Sequence, residues 1–426
     1  ITMIKFLFKG TIRDKSRSVL PIIVITLGVS LTVVLSGFLK GAMTDMTDQN
    51  ARFETGHVKI MSRAYAANKD QLPNDLALLG VDSLVNGLRS EYPSLQWVKR
   101  IKFGGLLDAP DSSGETKGQG PASGIAINLL EAKSGEVERM NIMSAMVSGS
   151  LPDNAGEALI GDEFASKLNL EIGDEVTYFG TTMNGSMTFQ NFVISGTIRF
   201  GLQAMDRGAI LIDITAAQQM LDMEDGAGEV LGFFTTGVYP DKAAQHLVNS
   251  FNKKMEGITD DYAPEMFSLR DQNNLGEMLD YANSMSAVFV LIFVGAMSVV
   301  LWNTGLIGGL RRYQEFGIRL ALGESKGRIY RSLVLEAALI GFIGSVIGTG
   351  VGLLGALYLQ YYGIDIAGMI ENSSMMMPTV MRAQVTPELY YIGFIPGVFA
   401  MVFGNMLSGI GIYKRETARL FKELEV

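Results

Sequence analysis

Four long apolar stretches set the terms for any fold this chain can adopt. A helix needs about 20 mainly apolar residues to cross a bilayer. Residues 19–39 (VLPIIVITLGVSLTVVLSGFL) supply one such run, and 284–310, 332–361 and 389–412 supply three more. Inside hydrocarbon every backbone polar group must be satisfied within the chain, so each run reads as a helix. Between the first two runs lie roughly 240 residues in which short apolar segments alternate with turn signals, the mark of a folded aqueous domain. The fold class expected is a membrane protein of four transmembrane helices, with a large α+β extracytoplasmic domain inserted between helices 1 and 2. The boundaries read as an amphipathic N-terminal segment over 1–18, helices over 19–40, 282–310, 332–362 and 389–413, and the inserted domain over 41–281. Loops over 311–331 and 363–388 and a tail over 414–426 complete the chain.

Charge in the short flanks sets orientation, because long domains cross largely regardless of charge. Lys5, Lys9, Arg13, Lys15 and Arg17 precede the first helix. Arg311, Arg312, Arg319, Lys326, Arg328 and Arg331 lie between helices 2 and 3, and Lys414, Arg415, Arg419 and Lys422 follow helix 4. The loop between helices 3 and 4 has Arg382 alone against Asp365, Glu371 and Glu388. The three basic clusters therefore predict cytoplasmic termini and an inserted domain on the other side. The first apolar run is too long for a cleaved leader, and no small-residue cleavage site follows it.

The net charge of −9 hides two opposite regions: −16 over residues 41–280 and +7 over the rest. That balance argues against nucleic acid as a partner. With no Cys and only His57 and His246, the sequence excludes disulfides, thiolate metal sites and a cysteine nucleophile. The pairs Asp162-Glu163 and Asp174-Glu175 read as solvated surface, and the two histidines as packing or surface residues. No G-x-S-x-G elbow occurs. Met375–Met377 reads as an apolar patch facing lipid or a partner rather than a soft metal site. Asn184-Gly185 is a hairpin turn signal between strands at 176–182 and 187–194. Further strands are expected at 57–61, 125–130, 158–160 and 209–212. Helices are expected at 81–92, 163–168 and 215–221, the last capped by Thr215, and the Gly/Ser-rich stretch 108–124 reads as a loop or subdomain boundary. No catalytic constellation, metal site or cofactor is expected on this chain.

The most informative segment runs from Arg311 to Gly350. Arg312 belongs at the lipid head groups. Glu315, Phe316, Gly317, Ile318, Arg319, Leu320 and Leu322 suit a short amphipathic helix along the membrane, ended by Gly323 in a left-handed conformation. The residues alone leave a docking helix and a plain basic hairpin equally open. Glu336, near the start of helix 3, needs a partner or the interface, because a carboxylate in hydrocarbon costs about 2.5–3.5 kcal/mol. Gly341, Gly344, Gly348 and Gly352 then step along one smooth face that admits a close helix neighbour. That neighbour is either another helix of the same bundle or a second copy across a dimer seam.

EFGIRLALG at 315–323, followed by a glutamate opening a Gly-stepped helix, resembles the FtsX-like, MacB-like permeases of ABC transporters. The resemblance covers nearly the whole chain. SRSVLPIIVITLGVSL at 16–31 is similar to the family's first helix, and MVSGSLPDNAGEALIGDEFASKLNLEIGDEV at 146–176 to its outer domain. FVISGTIRFGLQAMDRGAILIDITAAQQML at 192–221 looks like the matching segment of lipoprotein-releasing LolC and LolE subunits. Two departures stand out: the basic tail KRETARL lacks the family's proline-containing ending, and a tight turn at Asn184-Gly185 replaces the extended hairpin of LolC-type subunits.

The resemblance implies a Porter and Sabre outer domain, a permease dimer (homodimer or paralogues) and a cytoplasmic ABC ATPase dimer. The ATPase would carry ATP and Mg and would receive a coupling helix, here 312–323. A periplasmic carrier or adaptor and membrane lipids are the other implied partners. Consistent with this, no G-x-x-x-x-G-K-S/T phosphate loop occurs in the sequence. The function implied is a permease subunit, not itself an enzyme, in the bacterial inner membrane. It would couple ATP hydrolysis to movement of its outer domain, for lipoprotein release or export of a periplasmic or lipidic substrate by mechanotransmission. The alternatives are a regulatory permease that switches an external cell-wall hydrolase and a membrane-tethered enzyme or sensor.

Overall fold

The computed structural model describes residues 15–111, 114–310, 313–365, 376 and 380–414. It forms two compact units. One holds Ile1–Asp45, Tyr281–Ile364 and Val380–Val426, and the other holds Met46–Asp280 with Asp365–Thr379.

The apolar unit is built from helices α1 (Lys15–Asn50) up to Asp45, α2 (Leu275–Leu310) from Tyr281 onward, α3 (Tyr313–Ala321), α4 (Lys326–Tyr361) and α5 (Met401–Lys414); the last turn of α1 and the first of α2 belong to the second unit. Four segments of the chain are long and apolar enough to cross a membrane. Helices α1 and α4 both run past the stretches that hydropathy marks out, because their polar ends keep good helix formers. The fourth apolar run is not one regular helix. It opens with a turn at Leu389–Ile392 and a π-helix at Ile395–Ala400, then continues as α5. Pro396 supplies the reason: it has no N–H to donate and its ring crowds the preceding turn. The core of the unit joins Ile25, Val29 and Val33 of α1 to Ala337, Ile340 and Ala356 of α4, with Leu389, Ala400 and Met401. Leu27, Leu31, Phe342, Leu354 and Phe399 point outward, as lipid-facing side chains do. Five exposed tyrosines, Tyr358, Tyr361, Tyr362, Tyr390 and Tyr391, sit where α4 ends and the fourth run begins. Their rings suit a membrane–water boundary, where an apolar body and a polar tip are both satisfied.

The second unit is a mixed ten-stranded sheet with helices packed on it. Its strands are β1 (Val58–Ser62), β2 (Leu95–Pro110), β3 (Thr116–Ile127), β4 (Met146–Gly149), β5 (Glu157–Gly161), β6 (Glu175–Thr181), β7 (Met187–Ile198), β8 (Ala209–Asp213), β9 (Glu229–Phe234) and β10 (Pro264–Ser268). They run in the order β10-β1-β9-β2-β3-β8-β5-β7-β4, and β6 bridges β2 and β7. The pairs β3–β8 and β5–β7 are parallel, and the others are antiparallel. The main core gathers Val58, Ile60, Trp97, Ile101, Phe164 and Ile212 beneath the helices Val81–Glu91, Ile214–Met220 and Asp241–Lys254.

Four local expectations change here. The Gly/Ser-rich stretch 108–124 is largely strand: β2 and β3 form a long hairpin paired from Ile101–Ala126 out to Pro110–Thr116. Small residues on a strand remove side chains without removing ladder hydrogen bonds, so composition misreads it. The helix Ile214–Met220 is capped by Asp213, whose carboxylate accepts the Thr215 N–H at 2.9 Å; Thr215 itself lies inside the helix. Asp162 is half-buried rather than solvated, and its carboxylate accepts from Arg199 at 2.7 Å. The loop between α4 and the fourth run is also not wholly peripheral. Met376 is buried in a second core with Ile127, Leu159, Ile198 and Leu211, and its N–H donates to Arg199 O at 2.9 Å. Met375 and Met377 lie outside the described residues.

Candidate functional site

Helix α3 is short, and its amphipathic spacing divides it cleanly. Phe316 is only 1% exposed and packs on Ile329 and Leu333 of α4, with Leu320 one turn further along completing the contact. That face anchors the helix. On the other side Ile318 and Leu322, also one turn apart, are 54% and 82% exposed. Glu315 and Arg319 are half-buried between the two faces, and Gly317 lies buried on the α4 side. Arg312 lies outside the described residues.

The end of α3 is fixed by backbone geometry. Gly323 adopts φ +90°. Its N–H donates to Leu320 O at 3.0 Å, and the Glu324 N–H donates to Arg319 O at 3.0 Å. This pair of bonds reverses the chain sharply and satisfies carbonyls that a helix end otherwise leaves open. A Cβ at position 323 would meet nothing within 4 Å, so the positive φ alone selects glycine. Glu324 also pairs with Arg319 Nε at 3.4 Å, which fastens the turn to the helix it ends. Ser325 then starts α4, its carbonyl accepting from Arg328 and Ile329. The result is a two-helix hairpin held by one aromatic anchor, with an apolar pair facing away from it.

The glycine steps of α4 receive neighbours from the same chain. A Cβ at Gly341 would stand 2.9 Å from Gly397 O, and one at Gly344 2.7 Å from Ile25 Cγ2. At Gly348 it would stand 2.8 Å from Thr26 O and from Val29 Cβ, and at Gly352 2.7 Å from Val33 Cβ. This face of α4 is therefore filled by α1 and by the π-helix of the fourth run. Glu336 is half-buried one turn before Ile340.

The inserted domain holds a second constellation, which sequence reasoning passed over. Its members are Lys59, Arg100, Glu136 and Glu229, almost wholly buried, with Lys102 13% exposed. Lys59 Nζ and Lys102 Nζ lie 2.9 and 3.5 Å from Glu229 Oε1, and Arg100 Nε lies 2.8 Å from Glu136 Oε2. Burial pushes the Glu229 carboxyl up, but Lys59 and Lys102 outweigh it and hold it at about 2. Burial likewise raises Glu136, and Arg100 with Arg139 overcomes it to bring that carboxyl below the usual range. A signal was present: Lys59 stands inside the apolar run HVKIM, and Arg100 and Lys102 flank Ile101. In a strand with one face in water such charges would be solvated, whereas β1 is buried on both faces between β9 and β10. His57 is a packing residue. Its Nδ1 accepts the Phe234 N–H at 3.0 Å, and its ring lies against Phe233, Phe234 and Tyr239. Among the described residues, no three His, Asp or Glu side chains gather as metal ligands.

Comparison with known proteins matches both units. The MacB-like periplasmic core domain family model covers residues 18–250, and the FtsX-like permease C-terminal model covers 287–417. The LolC transmembrane protein of the lipoprotein-releasing system from Xylella fastidiosa is 24% identical over 58% of this chain and 56% of its own length. The macrolide export ATP-binding/permease protein MacB of Burkholderia lata is 22% identical over 82% of this chain and 49% of its own. The chain thus spans about half the length of these curated relatives. The solved periplasmic region of MacB from Actinobacillus actinomycetemcomitans overlaps 53% of this chain and 94% of its own, at 12% identity and a TM-score of 0.36. With one family model over more than half of the chain and a second over most of the remainder, this protein belongs to the FtsX-like, MacB-like family of ABC transporter permeases.

Proposed function

We propose that the chain is the permease subunit of a MacB/LolCDE-type ABC transporter of the bacterial inner membrane. In this reading α3 docks on a cytoplasmic ATPase, and movement of that ATPase reaches the inserted domain through α1 and α2. The observation that carries it is the divided surface of α3. Phe316 commits one face to α4, while Ile318 and Leu322 form an apolar pair that none of the described residues covers. An exposed apolar pair on a helix held rigid by a capped turn suits a groove on a partner.

ATP and Mg belong to the partner, and a second permease, identical or paralogous, completes the membrane part. The substrate class this favours is a lipoprotein or another periplasmic or lipidic molecule, moved by the inserted domain rather than through a charged channel. The basic flanks favour cytoplasmic termini and a periplasmic inserted domain. Because the chain has no Cys, single cysteines at Ser325 and Ser90 would report that topology through an impermeant maleimide. Labelling of Ser90→Cys alone in intact spheroplasts is expected, and labelling of Ser325→Cys there refutes the orientation. For the coupling itself, the permease is purified in mild detergent from its native membrane and assayed for bound ATPase activity. Glu315→Lys together with Arg319→Glu is expected to abolish that activity. Retention of full activity, or its absence from the parent complex, rejects the transporter reading.

A further inference from the structure

Helix α1 does not end as an ordinary helix. After Asn50 it widens into a π-helix at Ala51–Thr55, closed by the Gly56 N–H donating to Ala51 O at 2.8 Å. Such a turn carries one residue too many for regular helix geometry and persists where its surroundings hold it. Here they hold it on every side. Ala51 is buried with Val98, Leu231, Phe233, Leu269 and Leu275, whereas Phe53 packs into the separate core of Ile127, Leu159 and Ile198.

The backbone and one side chain of the turn are gripped as well. Arg100 Nη1 donates to Phe53 O at 3.2 Å, Lys102 Nζ to Glu54 Oε1 at 2.8 Å, and Gln272 Nε2 to Thr55 O at 3.2 Å. These three donors come from different places. Arg100 and Lys102 lie on β2, and Gln272 lies just before the first turn of α2. Leu275, the first residue of α2, shares the cluster that buries Ala51.

From two consecutive residues of the turn, two ionic chains then diverge; both are buried within the domain, but Glu54 itself is 46% exposed. One runs from Phe53 O through Arg100 to Glu136 and Arg139. The other runs from Glu54 through Lys102 to Glu229 and Lys59 on the strands β9 and β1. Arg100, wholly buried with Glu136, is costly to move from its partners, so the first chain resists displacement of the turn; Lys102 adds a second, less buried tie to Glu54.

We infer that Ala51–Thr55 is a rigid joint. Arg100, Lys102 and Gln272 act as positioning residues that lock the last turn of α1 (Met46–Asn50 with the π-helix) and the start of α2 (Leu275–Asp280) to each other and to the sheet, all within the second unit. The inference rests on the transporter reading only for its purpose: a movement of the two helices would then have to reach the sheet instead of being absorbed in a loose linker.

The test is a distance measurement on the full chain in lipid nanodiscs. Spin labels are placed on cysteines at Met46 and Lys133, both exposed. The label-free background is clean because the sequence holds no Cys. A narrow distance distribution is expected, and Glu54→Gln with Gln272→Ala should broaden it about twofold. Lys102→Arg, which keeps the charge and the reach, should leave it narrow. A control pair at Ser90 and Lys167, away from the joint, should stay narrow in every variant, which separates a loosened joint from a misfolded domain. An unchanged Met46–Lys133 distribution in the double variant overturns the inference, and so does equal broadening of the control pair. The readout needs no ATPase, so a joint that loosens as expected stands even where the proposed coupling fails.

Discussion

The two units solve the same problem, holding elements close together, with opposite chemistry. In the apolar unit the closest contacts involve glycines: Gly341, Gly344, Gly348 and Gly352 let α4 lie directly against backbone and β-branched side chains. In the inserted domain the fastenings are ionic: Glu229 is shared by Lys59 and Lys102, and Glu136 by Arg100 and Arg139, largely out of water. The difference follows from the surroundings. Lipid tails are as apolar as leucine, so burying apolar side chains gains little there and close backbone contact must supply the attraction. A domain in water gains from burying apolar area, and can then enclose a few paired charges whose geometry excludes other arrangements.

The sharpest break of this contrast is at Glu136. Replacing it by Gln leaves Arg100 and Arg139 facing a neutral amide, with Arg100 fully buried. Removing one partner of a buried pair costs about 3–5 kcal/mol. Hydrogen exchange on the full chain is expected to show lost protection across β2, β9 and the helix at Glu136–Arg139, with α4 and α5 unchanged. Equal loss in both units would mean that the two do not keep separate stabilities.

The matching change in the apolar unit is Gly348→Leu. Its first new atom already falls 2.8 Å from Thr26 O and Val29, so α1 and α4 must separate. Overpacking of this kind costs about 1–3 kcal/mol. A drop in the detergent melting temperature is expected, and Gly350→Leu, where nothing lies within 4 Å, should leave it unchanged. Similar melting of both variants would remove the glycine face as the basis of packing.

Acid sharpens the same comparison. The ordinary glutamate value is 4.5, and Glu229 in the folded domain is held at about 2 by Lys59 and Lys102, against burial. A carboxyl depressed on folding contributes stability that is present above its unfolded value and is lost as pH falls through its folded value. The inserted domain is therefore expected to weaken between pH 4.5 and 2, and Glu229→Gln should flatten that dependence. None of the glycine contacts of α4 described above involves a titratable group, so helix packing in the apolar unit should hold through the same range. Intrinsic fluorescence of Trp97 against that of Trp302, each isolated by a Trp→Phe change at the other, follows the two units separately.

What could be read from the sequence tracks the same division. The apolar runs were legible because lipid imposes length and hydropathy directly, and EFGIRLALG was legible as a short helix ended by a glycine. The hairpin of β6 and β7 was legible from Asn184-Gly185, since only a few residue pairs suit its turn. The buried charges and the π-helix were not. Lys59 and Arg100 look like the polar face of a strand until β9 and β10 are placed, and those two strands come from sequence positions more than 100 residues away. Nothing local in ARFET announces a widened turn, which its tertiary partners impose.

The smallest expected effect on stability is the most informative for function. Leu322 is 82% exposed, and Ile318 is more than half exposed on the same face of α3, so neither stabilises the fold appreciably. Replacing Leu322 by Asp should change the melting temperature little, since it removes no buried contact and a carboxylate at a helix C-terminus costs only about 0.3–1 kcal/mol. Phe316→Ala should do the opposite, removing the anchor on Ile329 and Leu333 and freeing α3 from α4. Both variants should lose ATPase activity in the purified complex, but for different reasons. Leu322→Asp leaves α3 in place with a damaged contact surface, whereas Phe316→Ala leaves the surface intact on a helix no longer held. Trypsin distinguishes them, because the bonds after Arg319, Lys326 and Arg328 should stay protected in Leu322→Asp and become cleavable in Phe316→Ala. A Leu322→Asp complex that hydrolyses ATP and moves substrate at the parent rate would show that the exposed face of α3 faces no partner.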